Sequence, residues 1–378
     1  MRDQLITLLN SQSGVMLTAL EQIVIHESPS HDKEALDRLA SVIEGRFLAI
    51  GTKVERIVNP HGGDHLRIRT GNENGSTAAL VLGHYDTVWQ AGTLEKMPFR
   101  VVEGLAYGPG IFDMKASLVI AEFAIRALKT LGISPARPLE LLLTSDEEIG
   151  SPTSRELIEA AACRSAYVLV LEPPLAGDKF KTARKGVGLF TLEVAGKAAH
   201  AGVEPEKGVN AIIELAHQIL TISAMGDPET GTTLNVGLIH GGTASNVIPS
   251  QAIARIDVRV STQAEARRVE AELAGLMPVL PDATLRITGG FNRPPMERTD
   301  NVALLYERAR LVGFSLGMDL GEGSTGGGSD GNFTAALGIP TLDGLGVPGA
   351  GAHAVHEHII VKSLPGRAAL LAALLSEL

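Results

Sequence analysis

Cysteine is almost missing: Cys163 is the only one in 378 residues, so the chain cannot close a disulfide on itself. Long apolar runs are missing too, and nothing approaches the roughly 18 residues that a membrane-crossing helix requires. Positive charge is in deficit. Against 43 Asp and Glu there are 33 Lys and Arg, a net charge of -10, and the cations are dispersed rather than blocked. Sustained binding of nucleic acid needs a basic stripe and is not expected. Residues 1–25 alternate polar and apolar, with Arg2 and Asp3 at the start and no apolar core, which argues against a cleaved secretory signal. A reduced, cytoplasmic setting is the expectation, with Cys163 buried on a helix.

What is present is ordinary globular composition in a chain long enough for a large domain and a second one. Residues 1–50 read as two helices, the second opened by Ser30 and His31 with Asp32 and Glu34 in its first turn. A βαβ rhythm follows: strands at 78–83, 139–145 and 166–172, and helices at 116–132 and 152–163, the latter opened by Ser151 with Pro152 at its first position. Short apolar strands alternating with helices predict an α/β fold, a mostly parallel sheet flanked by helices. After Pro173-Pro174 the texture changes. Segments 188–196, 232–242, 252–260 and 283–290 alternate with period two, and helices are expected at 208–225 and 262–277. That order is the order of a ferredoxin-like α+β unit. It is placed at 183–292, inserted into a domain made of 1–182 and 293–378. The main domain resumes with a helix at 300–313, the Gly-rich segment 321–332 and a strand at 339–346.

Ionisable residues gather at the carboxyl ends of the predicted strands, where open α/β sheets bind their ligands. Strand 78–83 runs into "GHYDTV" with His84 and Asp86. Asp113 lies in "GPGIFDMKAS" before the next helix, strand 139–145 runs into Asp146, Glu147 and Glu148, and strand 166–172 ends at Glu172. Far downstream, "GAGAHAVHEH" carries His353, His356 and His358. Any one of these alone reads as a solvated carboxylate or a structural histidine; the set reads as a site for divalent metal. Each zinc takes roughly four N or O ligands, and a catalytic site keeps one position open. Two histidines and three carboxylates exceed the needs of one ion and suit two that share a bridging carboxylate. The three adjacent carboxylates cannot all be ligands, because neighbouring side chains diverge. One binds while the next stands off as proton acceptor.

The pieces "GHYDTV", "GPGIFDMKAS", "TSDEEIGS", "LEPP", "GKAAHAG", "GGTASNVIPSQAIARIDVR" and "GVPGAGAH" are spread over nearly the whole chain. In that order the sequence resembles the M20 metallopeptidases, and within them the glutamate carboxypeptidases, with kinship to acetylornithine deacetylases and succinyl-diaminopimelate desuccinylases. The resemblance implies a zinc-peptidase-like catalytic domain with two Zn²⁺ per subunit, a ligand set that cobalt or manganese also satisfies. It implies His84 and Glu172 on one ion, Glu148 and His353 on the other, and Asp113 bridging, followed by a cis peptide to Met114. Glu147 would be the general base, and Asp86 the carboxylate that orients His84. The inserted domain would form a homodimer, with His200 of "GKAAHAG" reaching into the site of a second copy to stabilise the oxyanion.

Asn246 and Arg259 match positions that bind the α-carboxylate of the substrate, for which a planar guanidinium is apt. Lys179, in a segment with Arg184 and Lys185, sits where a cation for a glutamate side chain belongs; a solvated linker charge is the competing reading. Gly326, Gly327, Gly328, Ser329 and Asp330 are expected to line the pocket, their N–H groups facing an anion. The last motif departs from the family, with His356 inside its spacer and His358 where an aromatic residue belongs. His353 is the preferred ligand and His356 the reserve. The expected activity is hydrolysis of the amide to a C-terminal amino acid, glutamate foremost, in small N-acyl or peptidyl substrates. The same chemistry on an acetylated or succinylated amino-acid precursor is the rival.

Overall fold

Strands Ala78–His84, Leu139–Thr144 and Ser165–Val170 form the heart of a six-stranded sheet in the computed structural model, which describes residues 1–70 and 77–378. The sheet order is Lys53–Ile57, His65–Thr70, Leu139–Thr144, Ala78–His84, Ser165–Val170, Thr341–Leu342. The last four run parallel, and the first two add an antiparallel edge. Side chains alternate across a strand, and both faces are buried. Leu80, Leu82, Leu142, Val168 and Val170 pack with Ile158, Ala161, Ala162 and Phe333 on one face. Val81, Leu141, Leu143 and Leu169 pack on the other, under helices Arg2–Ser11, Ser13–Val24, Lys33–Ala49, Ala116–Thr130 and Leu364–Glu377. This is the predicted α/β sandwich.

The chain divides into two units: Met1–Ala183 with Arg298–Thr325 and Ser329–Leu378, and Arg184–Glu297 with Gly326–Gly328. The second unit has four antiparallel strands in the order Thr233–Gly241, Gln251–Val260, Gly186–Ala195, Thr284–Arg293, which is the ferredoxin-like order. Its helices, Ala211–Ala224 and Gln263–Ala274, start at Asn210 and Thr262, whose side chains accept backbone N–H bonds as N-caps. Phe190, Leu192, Val194, Ile256, Val258 and Leu215 belong to a core of its own.

Several elements differ from the sequence reading. The first 50 residues hold three helices, because the chain turns at Gln12. The edge strands Lys53–Ile57 and His65–Thr70 and the buried helix Leu364–Glu377 had no expectation. The helix expected from Pro152 starts at Arg155. Asp146 accepts the backbone N–H groups of Thr153 and Ser154 at 2.7 and 3.2 Å, while Ser151, at φ 58°, gives its hydroxyl to Asp330 at 2.5 Å. The entry turn is therefore held from outside the helix. Cys163 is exposed, not buried, since it follows the last helical residue, Ala162, where the chain leaves the sheet-facing side.

Asp64 ties the antiparallel edge to the site. Its carboxylate accepts from Asn59 N at 2.9 Å, Lys33 Nζ at 2.9 Å and Arg56 Nε at 2.8 Å, and its carbonyl oxygen accepts the hydroxyl of Tyr85, the residue after His84. Burial opposes ionisation, but the N–H groups and the two cations outweigh it and bring the carboxyl to about 2. A depressed carboxyl adds stability above its unfolded value of 3.8 that is lost as pH falls through the folded value. The Asp64→Asn chain is expected to be about 1–3 kcal/mol less stable at neutral pH. Its stability should also decline less than that of the parent between about pH 4 and pH 2. Urea unfolding followed by circular dichroism across that range checks both.

Candidate metal centre

Strand register brings the first ligands together. His84 pairs with Thr144 across one neighbour and Leu82 with Val170 across the other, so His84, Glu172 and the 146–148 turn leave the same edge of the sheet. Asp113 arrives from the turn Ile111–Lys115, and its peptide to Met114 is cis. His353 comes from a loop closed by the short strands Gly349–Ala350 and His358–Ile360, the latter pairing in turn with Leu105–Tyr107. That small sheet carries the 108–113 and 351–357 loops side by side.

The geometry is that of two half-sites. Nε2 of His84 lies 3.3 Å from Asp113 Oδ1 and 3.5 Å from Glu172 Oε1. Nε2 of His353 lies 3.1 Å from Glu148 Oε2 and 3.5 Å from Asp113 Oδ2. His84, Asp113 and Glu172 form one group and Asp113, Glu148 and His353 another, with ligand atoms within 4.8 Å of one another in each. Asp113 is common to both. His356, the reserve, is in neither group.

Electrostatics fit this crowding. Burial opposes ionisation of Asp113, but hydrogen bonds from His353 and His84 hold its carboxyl well below the usual range. Burial pushes Glu148 up to about 7 against its bond to His353. The bonds to Asp113 and Glu148 raise His353 to about 10, and for His84 the carboxylates of Asp113, Asp86 and Glu172 outweigh a desolvation that acts the other way. The donor set, imidazole nitrogens and carboxylate oxygens, is the set that divalent transition metals take. Glu148 Oε1 is buried without a hydrogen-bond partner, an acceptor that a cation would satisfy. The residues fit a metal pair.

Asp86 is fully buried behind the site. Nδ1 of His84 lies 3.1 Å from its carbonyl oxygen and 3.3 Å from Oδ1. Its carboxylate also accepts the N–H groups of Glu147 and Glu148, both at 3.2 Å, and the Ser30 hydroxyl at 2.8 Å. One side chain therefore orients His84 and the turn that presents two further candidates. The charge of Glu147 in turn acts on His84. Asp146 points away, bound to Thr153 and Ser154.

Other candidates lie elsewhere. Lys179 is exposed, whereas the buried Lys181, which the sequence reading passed over, puts Nζ 3.9 Å from Glu172 Oε2. Ser329 and Asp330 do not line an open pocket. Both are buried, with the Ser329 hydroxyl on Asp343 and Asp330 accepting from Thr144 and Ser151. Glu357 was missed as well: it is buried and accepts from Trp89, Gly110, Phe112 and Asp113. Its one local signal was its place four residues after His353.

In the second unit, His200 bridges Val247 and Ala201 N donates to Asn246 O at 3.0 Å, so two of its candidates share an exposed edge. Arg259 has its fork on Asp257 at 2.8 and 2.9 Å, and Nη1 reaches Gly326 O at 3.4 Å. At Gly328 an added Cβ would fall 2.6 Å from Arg293 Cδ, so no side chain fits there.

Comparison with known proteins matches this arrangement. Among the described residues no helix is long and apolar enough to cross a membrane. The chain is 31% identical over 374 residues to carboxypeptidase G2 of Pseudomonas sp. (strain RS-16), covering 97% of this chain and 90% of that protein. It is 30% identical over 356 residues to a succinyl-diaminopimelate desuccinylase of Dechloromonas aromatica, covering 88% and 91%. The fold is shared with aminopeptidase PepT of Bacillus cereus, at a TM-score of 0.79 and 23% identity over 97% of this chain and 98% of that one. It is also shared with the M20 family metallo-carboxypeptidase Sso-CP2 of Sulfolobus solfataricus, at 0.73 and 18% over 96% and 98%. The profile of peptidase family M20/M25/M40 runs through residues 80–377. A match of that extent, over a chain whose scattered carboxylates and imidazoles converge, makes this protein a hydrolase of peptidase family M20/M25/M40.

Proposed function

We propose that this hydrolase holds two divalent cations, zinc foremost, and cleaves the amide joining an acyl or peptidyl group to a C-terminal amino acid, glutamate foremost. The observation that carries the reading is the membership of Asp113 in two ligand groups at once. His84 and Glu172 hold one cation, Glu148 and His353 the other, and Asp113 lies between them. What a bound pair supplies is polarisation of the scissile carbonyl and acidification of a water.

The remaining work belongs to side chains of the chain itself. Glu147 takes the proton of the attacking water and returns it to the departing amine nitrogen, a transfer typically worth about 10²–10⁴-fold in rate. Asp86 keeps His84 in the tautomer whose Nε2 lone pair faces the cations and fixes the Glu147 backbone. His200 donates to the oxyanion from a second copy, Asn246 and Arg259 take the α-carboxylate, and Lys179 takes the side-chain carboxylate of glutamate. Gly328 offers its backbone N–H to an anionic group of the substrate. The homodimer is supported by the edge strand Thr233–Gly241, on which Leu238 and Ile239 are 53% and 58% exposed, and by the exposed Ile212 and Ile213 on the adjoining helix. A single, exposed cysteine suits a reducing cytoplasm.

Identity to the Pseudomonas carboxypeptidase along almost the whole chain favours release of a C-terminal amino acid, and identity to the desuccinylase keeps the rival in view. Purified protein is expected to hydrolyse folyl- and peptidyl-glutamates faster than N-acetylornithine or N-succinyl-diaminopimelate; turnover of the latter two alone would remove the carboxypeptidase label. Glu147→Gln is expected to keep the parent's metal content, by elemental analysis, while kcat drops at least about 100-fold. Light scattering should give twice the mass of one chain, and Leu238→Glu with Ile239→Glu should halve that mass.

A further inference from the structure

We infer that Glu357 is a positioning residue that sets the second half-site, by clamping the loop of the shared aspartate to the turn that carries His353. The inference rests on the two-cation reading above and extends it to a side chain that touches neither ion.

Glu357 is fully buried, and each of its oxygens is used twice. Oε1 accepts the backbone N–H groups of Phe112 at 2.9 Å and Asp113 at 3.1 Å. Oε2 accepts Gly110 N–H at 2.9 Å and the Trp89 indole N–H at 2.8 Å. A carboxylate has about four lone-pair sites, so four donors saturate it. A glutamine presents one oxygen and an NH₂ group, which would face two N–H donors and leave them buried without an acceptor. The loop has little freedom to adapt: Gly110 sits at φ 70° with the methyl of Thr87 2.3 Å from where a Cβ would stand.

The same residue anchors the histidine. Glu357 N–H bonds Ala354 O at 2.9 Å, and Ala354 N–H bonds Gly351 O at 2.9 Å, so the turn around His353, itself at φ 61°, is wound directly onto Glu357. Asp113 and His353 are 240 positions apart in sequence, and Glu357 links their loops, by its carboxylate to Asp113 N–H and by its own backbone N–H to Ala354 O. His84 and Glu172 owe their places to strand register instead, through the pairing of Leu82 with Val170. The two half-sites therefore depend on Glu357 unequally. Loss of the clamp should weaken the ion at Glu148 and His353, where aspartate and histidine both lose their anchor, more than the one at His84 and Glu172, where only the shared aspartate does.

The test is metal binding by the full chain, stripped with chelator and retitrated. Zn²⁺ affinities come from competition with a chromophoric chelator and site geometry from Co²⁺ absorption. Emission from Trp89, the only tryptophan, reports on the clamp itself. The parent is expected to take two ions. Glu357→Gln should take the first within about 3-fold of the parent affinity and the second about 10–100-fold more weakly, the usual effect of removing a support behind a ligand. Its Co²⁺ spectrum at two equivalents should resemble that of the parent at one. Two ions bound with parent affinities overturn the inference, even if the metal-free variant melts earlier, because the role would then be structural only. Equal weakening of both ions overturns it as well. Should Glu357→Gln fail to fold, Glu357→Asp keeps the charge but falls one methylene short of the four donors, and the same unequal loss is expected of it. A parent that binds fewer than two ions removes the two-cation reading itself and this inference with it, a result distinct from any behaviour of the variants.

Discussion

Asp113 shares one largely buried group with Glu172 and another with Glu148, the ligand atoms of each lying within 4.8 Å of one another, and the repulsion among these carboxylates is the constraint that the surrounding loops must meet. Like charges at such distances disfavour ionisation unless opposite charge lies between them. Two imidazoles and the buried Lys181 stand on the rim, and an orphaned oxygen of Glu148 faces inward. A cluster of this kind has no stabilising value for the fold. It suits a site that binds cations.

The scaffold answers the repulsion with more carboxylates, used differently. Asp86, Asp146 and Glu357 are all buried, and each accepts at least two backbone N–H groups from a loop that carries or borders a ligand. Asp86 holds the 147–148 turn, Asp146 the start of the helix behind it, and Glu357 the approach to Asp113. These loops have no ladder of strand hydrogen bonds to fix them. Charge-assisted bonds from single side chains take that place, and such bonds are roughly twice as strong as neutral ones. Of the acidic residues near the centre, then, some are placed to receive cations and others hold the backbone that aims them.

The βαβ core could be read in the sequence because its strands are apolar on both faces and its helices fall between them at regular intervals. The alternation of 188–196 and 252–260 likewise gave a sheet with one covered face. The edge strands Lys53–Ile57 and His65–Thr70 escaped because their charged, half-exposed residues carry little periodicity. Pro152 misled because it looks like a helix start, whereas Asp146 in the preceding turn and Asp330, distant in sequence, claim the residues on either side of it. In the site, the ends of successive strands brought forward His84, the Asp146–Glu148 cluster and Glu172, with Asp113 in the loop before a helix and three histidines downstream, and family likeness singled out Glu148 and His353 among them. Glu357 and Lys181 went unnoticed for one reason. Each owes its meaning to contacts outside its own segment, Glu357 with Gly110, Phe112 and Asp113 and Lys181 with Glu172, and beyond the place of Glu357 four residues after His353 the neighbouring sequence gives no sign of them.

The interrupted layout of the first unit bears on how the protein emerges from the ribosome. Its sheet is completed by Thr341–Leu342 and its core by Leu364–Glu377, both translated after the second unit. The second unit is nearly continuous, from Arg184 to Glu297, and has its own core. Domains tend to fold as their chain becomes available. The stretch that forms the second unit is thus complete in the chain before Thr341–Leu342 and Leu364–Glu377, on which the sheet and core of the first unit depend.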